Sequence, residues 1–138
     1  MRVVYDTNVL VSAALKPESL PASLVALALA QRVQLCVSPP ILVEYTAVLH
    51  RPKFGFAAAS IDAFLSEVTC VAVLVHPTMH LSVATDETDN RFLECAREAG
   101  AAYLVTGNLR HFPPALFEDV QILAPAAFAH LLAERLRP

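Results

Sequence analysis

Short unbroken apolar runs alternate along this chain with longer stretches whose apolar residues return every three or four positions. The runs are residues 3–5, 34–37, 71–75, 102–105 and 121–123. Several lack polar alternation altogether, which predicts strands buried on both faces. The longer stretches predict helices. One covers residues 9–15 after Asp6-Thr7-Asn8, and one covers 21–31, starting at Ser19 or Leu20 with Pro21 in its first turn. Ser38 before Pro39-Pro40 opens a third, which runs to about His50 and is ended by Pro52. Residues 60–69 carry Ile61, Phe64, Leu65 and Val68 at helical spacing, and residues 89–99 end at Gly100 as a C-cap. Residues 125–136 close the chain, with Phe128, Leu131, Leu132 and Leu136 on one stripe.

Strands alternating with helices imply an α/β fold with a parallel sheet covered on both faces. Ligands of such folds sit beyond the carboxyl ends of the strands, near a switch in strand order. Asp6 ends the first strand and Thr106-Gly107-Asn108 follows the fourth. The two loops meet if strands one and four are neighbours, which periodicity cannot decide.

The length, 138 residues, suits a single domain spanning 1–138. Hydrophobic residues make up 56% and charged residues 17%, more apolar surface than one small core conceals, so a protein–protein interface and a homodimer are expected. A net charge of −3 argues against a large nucleic-acid footprint but leaves room for a small basic rim. Arg2 followed at once by a strand-like run predicts no signal peptide, and the longest uncharged stretch, residues 68–85, reads as strand plus loop rather than a membrane span. Cys36, Cys70 and Cys95 form no C-x-x-C pair and predict buried, reduced thiols in a cytoplasmic protein. His50, His76, His80 and His130 show no zinc spacing and read as structural.

Three carboxylates carry the chemistry. Asp6 stands at a strand-to-helix junction, where an N-cap is the plain alternative; one carboxylate can cap and ligate together. Glu44 shares a helical stripe with apolar Ile41 and Val48. There an acid needs a partner, a solvated rim or an ion pair with Arg51. Asp86, Glu87 and Asp89 surround a helix start, where acids are favoured by the helix dipole alone. Asp89 falls on the buried-side stripe with Phe92, Ala96 and Ala99. Acids gathered from distant parts of a chain repel one another, and a hard divalent cation with oxygen ligands lets them coexist. Thr106 and Asn108 would orient a water. Lys16, Arg51, Lys53, Arg91, Arg110 and His111 are candidates for holding substrate phosphates; for Arg51 and Lys53 the plain alternative is a favourable helix C-terminus interaction and a solvated exit.

Together these residues resemble the PIN-domain ribonucleases, closest to the bacterial toxin-component branch akin to VapC-type toxins. The pieces are Val3-Val4-Tyr5-Asp6-Thr7-Asn8-Val9-Leu10, Glu44-Tyr45 leading to Leu49-His50-Arg51-Pro52-Lys53-Phe54, Asp86 with Asp89-Asn90-Arg91-Phe92-Leu93-Glu94, and Tyr103-Leu104-Val105-Thr106-Gly107-Asn108. Their order and spacing span nearly the whole chain. The resemblance implies a three-layer α/β/α sandwich with a five-stranded parallel sheet in the order 3-2-1-4-5. It also implies an acidic metal site at the carboxyl ends. Asp6, Glu44 and Asp89 match the core acids and Asp86 an additional one. Asn108 stands where the family usually has aspartate, which removes one negative charge.

The leading expectation is a Mg²⁺- or Mn²⁺-dependent endoribonuclease, the toxin of a toxin–antitoxin pair. Asp6, Asp89, Glu44 and Asp86 would hold metal, and Asn8, Arg51, Lys53, Arg91 and Arg110 would hold RNA. An antitoxin segment would lie over the site and insert a basic side chain. Two other readings compete: an RNA- or protein-binding module left without nuclease activity by Asn108, and a phosphatase with Asp6 as covalent nucleophile. The phosphatase class usually has a second aspartate two residues on, where this chain has Asn8.

Overall fold

The computed structural model describes residues 1–84, 86–112 and 116–135. Twelve elements follow in chain order: β1 (Arg2–Tyr5), α1 (Thr7–Leu15), α2 (Leu20–Leu29), β2 (Gln34–Val37), α3 (Pro39–Leu49), α4 (Ala58–Val71), β3 (Val73–Leu74), α5 (Asn90–Ala99), β4 (Tyr103–Val105), β5 (Leu116–Phe117), β6 (Val120–Leu123) and α6 (Pro125–Arg135). The sheet order is β3-β2-β1-β4-β6-β5. Its first five members are parallel, and they are the five expected strands in the expected order. The sixth, β5, pairs antiparallel with β6 and was not anticipated: two residues are too few to show a period. Helices form the outer layers, with α5 packed directly on β1, β2 and β4.

Position in the sheet explains sequence character. Val3, Val4 and Tyr5 of the central β1 are wholly buried, as an uninterrupted apolar run between two helical layers requires. Residues 71–75 split differently from expectation. Val71 completes the last turn of α4, and only Val73–Leu74 pairs with β2. A short apolar run reads equally as helix end or strand. Gly100 takes the left-handed conformation (φ 63°) that ends α5, as expected of a C-cap glycine. Cys36 and Cys95 are buried, but Cys70 is exposed. It lies on the far side of α4 from Ile61 and Val68, which face the core. Leu136, assigned to the stripe of α6, lies outside the described residues; Phe128 and Leu132 of that stripe are buried. Among the described residues, no single helix is long and apolar enough to cross a membrane.

Two buried tyrosines tie the layers together by their hydroxyls. Tyr5 donates to the Leu24 carbonyl (2.9 Å), and Tyr45 donates to the Tyr5 carbonyl (2.5 Å). The second bond fixes α3, which carries Glu44, to the end of the strand that carries Asp6. Tyr45→Phe keeps the ring and leaves one acceptor short in a dry place. It is expected to cost ~1–2 kcal/mol in urea-induced unfolding. A loss below ~0.3 kcal/mol would assign the tie between these elements to packing alone.

Candidate active site

Asp6 reaches the carboxyl end of the sheet because the β1–β4 ladder continues one residue past Tyr5, where the Asp6 N–H bonds the Val105 carbonyl (2.9 Å). The chain then turns into α1, and Asp6 is its N-cap, with Oδ1 accepting from the Thr7 N–H (2.7 Å). Oδ2 accepts from the Thr106 hydroxyl (2.7 Å) and the Asn8 amide (3.2 Å). The expected adjacency of strands one and four therefore holds, and it delivers Thr106 onto Asp6. A carboxylate oxygen has two lone-pair directions, so these bonds orient Asp6 without exhausting it. The side chain is 5% exposed. Burial raises its proton affinity most; Thr106 and Thr7 oppose that, and Glu44 adds to it.

Glu44 is half-buried, and its Oε2 accepts from the Thr7 hydroxyl (2.5 Å). That bond, and no ion pair with Arg51, is what satisfies an acid in the apolar stripe of α3. Asp89 ends the 3₁₀ turn Glu87–Asp89 and is 6% exposed, while Glu87 is exposed. Burial, then the charges of Asp6 and Asp86, push its carboxyl up to about 6. His111, from the 3₁₀ turn Leu109–His111, opposes the rise and places Nδ1 3.0 Å from Asp89 Oδ2. Asp86 is exposed, and hydrogen bonds from the Thr88 hydroxyl and N–H hold its carboxyl below the usual range.

The charge of Glu44 acts on Asp6, and the charges of Asp6 and Asp86 act on Asp89, which puts each of these pairs within electrostatic reach. The carboxylates are hard oxygen donors, and two of them, Asp6 and Asp89, are buried with their negative charge only partly offset. That donor chemistry fits Mg²⁺ or Mn²⁺. Among the described residues no three His, Cys, Asp or Glu side chains stand ready-made as a coordination shell. The acids share one end of the sheet, and closing them on a cation calls for side-chain rotation, including release of Asp89 from His111.

The other sequence candidates fall into different circumstances. Asn8 bridges two loops, donating to Asp6 while its Oδ1 accepts from the Gly107 N–H (3.0 Å). Arg91 is engaged by Glu87 and Glu94, each at 2.9 Å. Lys53 lies over the Phe54 ring, 5.1 Å from its centre. Arg51 and Arg110 are exposed. The Asn108 side chain makes no capping bond, and its N–H donates to the Thr106 hydroxyl (3.0 Å).

Sequence reasoning passed over Thr7, Asn90 and Glu94. Asn90 is 1% exposed, and its Oδ1 accepts from the Val83 and Ala84 N–H groups (2.9 and 2.7 Å). Glu94 accepts from the Leu81 N–H (2.7 Å). Both hold the irregular segment that leads into Asp86. The available signal was polarity on the buried face of α5, between Phe92, Leu93 and Cys95.

Residues 2–110 match the family model of the PIN domain. The chain is 31% identical over 111 residues to protein MJ1680 of Methanocaldococcus jannaschii, a match covering 78% of this chain and 71% of that protein. Its fold is similar to that in a crystal structure of VapBC2 from Rickettsia felis bound to a DNA fragment from their promoter. There the TM-score is 0.58 at 13% identity, over 90% of this chain and 98% of that one.

Proposed function

The chain belongs to the PIN domain family, and from that premise we propose that it is a Mg²⁺- or Mn²⁺-dependent endoribonuclease, the toxin of a toxin–antitoxin pair. The observation that supports the reading is that Asp6, at the carboxyl end of β1, is joined to Glu44 of α3 through Thr7 and lies within electrostatic reach of Asp89 before α5. Asp6 and Asp89 would hold the cation, with Glu44 and Asp86 at its margin. When bound, the cation supplies a water of lowered pKa and stabilises charge on the phosphoryl group. Thr106 and the Thr7 N–H hold Asp6 in one rotamer, so the rotation that closes the site falls to the other acids. Glu44 Oε2 is occupied by Thr7, which leaves Oε1 to take a proton from the attacking water. Arg51, Lys53 and Arg110 form a thin basic rim for the RNA backbone, with Arg91 behind it restraining α5. The products expected are a 5′-phosphate and a 3′-hydroxyl.

The protein is read as cytoplasmic and dimeric. Val43 (69% exposed) and Leu15 (50%) are apolar side chains that a second copy would cover. Likeness to a VapBC2 structure supports a cognate antitoxin as partner. Incubation of an RNA panel with Mg²⁺, Mn²⁺ or EDTA tests the activity: cleavage is expected with either ion and none with EDTA. Undiminished cleavage in EDTA would remove the metal-dependent reading. A second reading, a binding module without nuclease activity, draws on Asn108 and on the absence of a ready-made shell among the described residues. It predicts that cleavage appears only in Asn108→Asp.

A further inference from the structure

Beside the acids lies a cleft of about 180 Å³ lined by Asn8, Val9, Ser12, Gly107, Asn108 and the rings of Pro21 and Pro125. At ~30 Å³ per water it has room for roughly six waters, far below a site for a whole drug-sized ligand. It is continuous with the proposed reaction centre, because Asn8 belongs to both: its amide donates to Asp6 Oδ2 at 3.2 Å.

The lining chooses its ligand. Among the described residues no lysine, arginine or histidine contributes, so none of them neutralises a phosphate there. Among the described residues no acid contributes either, and Asn108 brings a neutral carboxamide. What remains is an apolar wall of Val9, Pro21 and Pro125 facing neutral hydrogen-bonding groups. Asn8 is largely engaged by Asp6 and Gly107. The Asn108 carboxamide and the Ser12 hydroxyl make no hydrogen bond among the described residues, so a ligand can claim them. Gly107 keeps the floor low: a Cβ there would lie 3.4 Å from Asn8 Oδ1, and a longer side chain would grow into the space.

We propose that this cleft receives the base of the RNA nucleotide next to the phosphate held at Asp6 and Asp89, with the Asn108 carboxamide reading the base edge. The placement beside that phosphate rests on the nuclease reading above. A flat heterocycle with neutral donors and acceptors matches both the size and the lining. Sequence-selective contacts to RNA favour such unstacked single-stranded bases. A carboxamide presents one donor beside one acceptor, the complement of adenine N6 and N7.

Adenosine added to ¹⁵N-labelled protein without metal is the test. Saturable shifts of the Ser12, Gly107 and Asn108 amide resonances are expected, with none from ribose 5-phosphate. Ser12→Phe, which fills the cleft from the exposed face of α1, and Asn108→Ala should each weaken adenosine by about tenfold or more. The Mn²⁺ affinity of Ser12→Phe, read by titration calorimetry, should stay within about twofold of wild type. Absence of any adenosine shift, or equal binding by both variants, overturns the base subsite. If RNA is cut while adenosine does not bind, the cleft assignment fails and the nuclease reading survives; binding without cleavage has the opposite meaning.

Discussion

Asp6→Asn is expected to lower metal-dependent RNA cleavage by about 10³-fold, from the loss of ~4 kcal/mol of charge stabilisation at the reacting phosphoryl group. Asparagine is the informative replacement. Its oxygen can still accept from the Thr7 N–H, so the N-cap of α1 survives, as it would not in alanine. The same change should stabilise the metal-free protein. Asp6 is 5% exposed, and burial, followed by the nearby Glu44 charge, disfavours its ionised form. A neutral isostere escapes that penalty, a common trade between stability and a charged active site. Thermal unfolding without metal should show a rise of roughly 1 kcal/mol, on the order of 4 °C. Equal cleavage by Asp6→Asn and wild type would remove Asp6 from the reaction. A marked fall in melting temperature would mean that its charge is compensated in the fold.

Acidification provides the second large effect. The Asp89 carboxyl is pushed up to about 6 by burial, by Asp6 and by Asp86, against the opposing influence of His111. A cation must displace that proton. Mn²⁺ affinity, measured by calorimetry, should therefore fall about tenfold for each pH unit below 6, and more steeply where Asp6 also protonates. Stability of the metal-free protein runs the other way. A folded-state value above the unfolded 3.8 means the native state holds the proton more tightly. The stability this contributes is fully present below pH 3.8 and is lost as pH rises through about 6. Asp89→Asn should flatten that part of the stability profile and weaken Mn²⁺ at every pH. Affinity unchanged between pH 7.5 and 5 would exclude Asp89 from the cation site.

Element types were legible because burial leaves a period in the chain. The run Val3-Val4-Tyr5, followed by a polar turn, reads as a strand covered on both sides, and Ser38-Pro39-Pro40 marks a helix start, although the Ser38 hydroxyl makes no capping bond. Boundaries were less legible where two structures suit one run, as at Val71, and β5 was too short to signal itself. The acids were legible as exceptions: Glu44 breaks an apolar stripe and Asp6 ends a buried strand. Their partners were not. Thr106 lies 100 residues from Asp6, and Asn90 looks like any helix-start polar residue until Val83 and Ala84 fold back onto it.

By itself, then, the sequence determined which segments are strand or helix, which acids are out of place in apolar company, and the family pattern they make. The first two are local, depending on a residue and its neighbours within two turns; the family pattern is the order and spacing of such local pieces along the chain. Tertiary structure alone decided that Thr7 serves Glu44 while Thr106 serves Asp6, that His111 stands on Asp89, and that Asn8 and Asn108 share a neutral cleft. Such relations depend on strand order and on side-chain direction at loop ends, and hydrophobic periodicity carries no information about either.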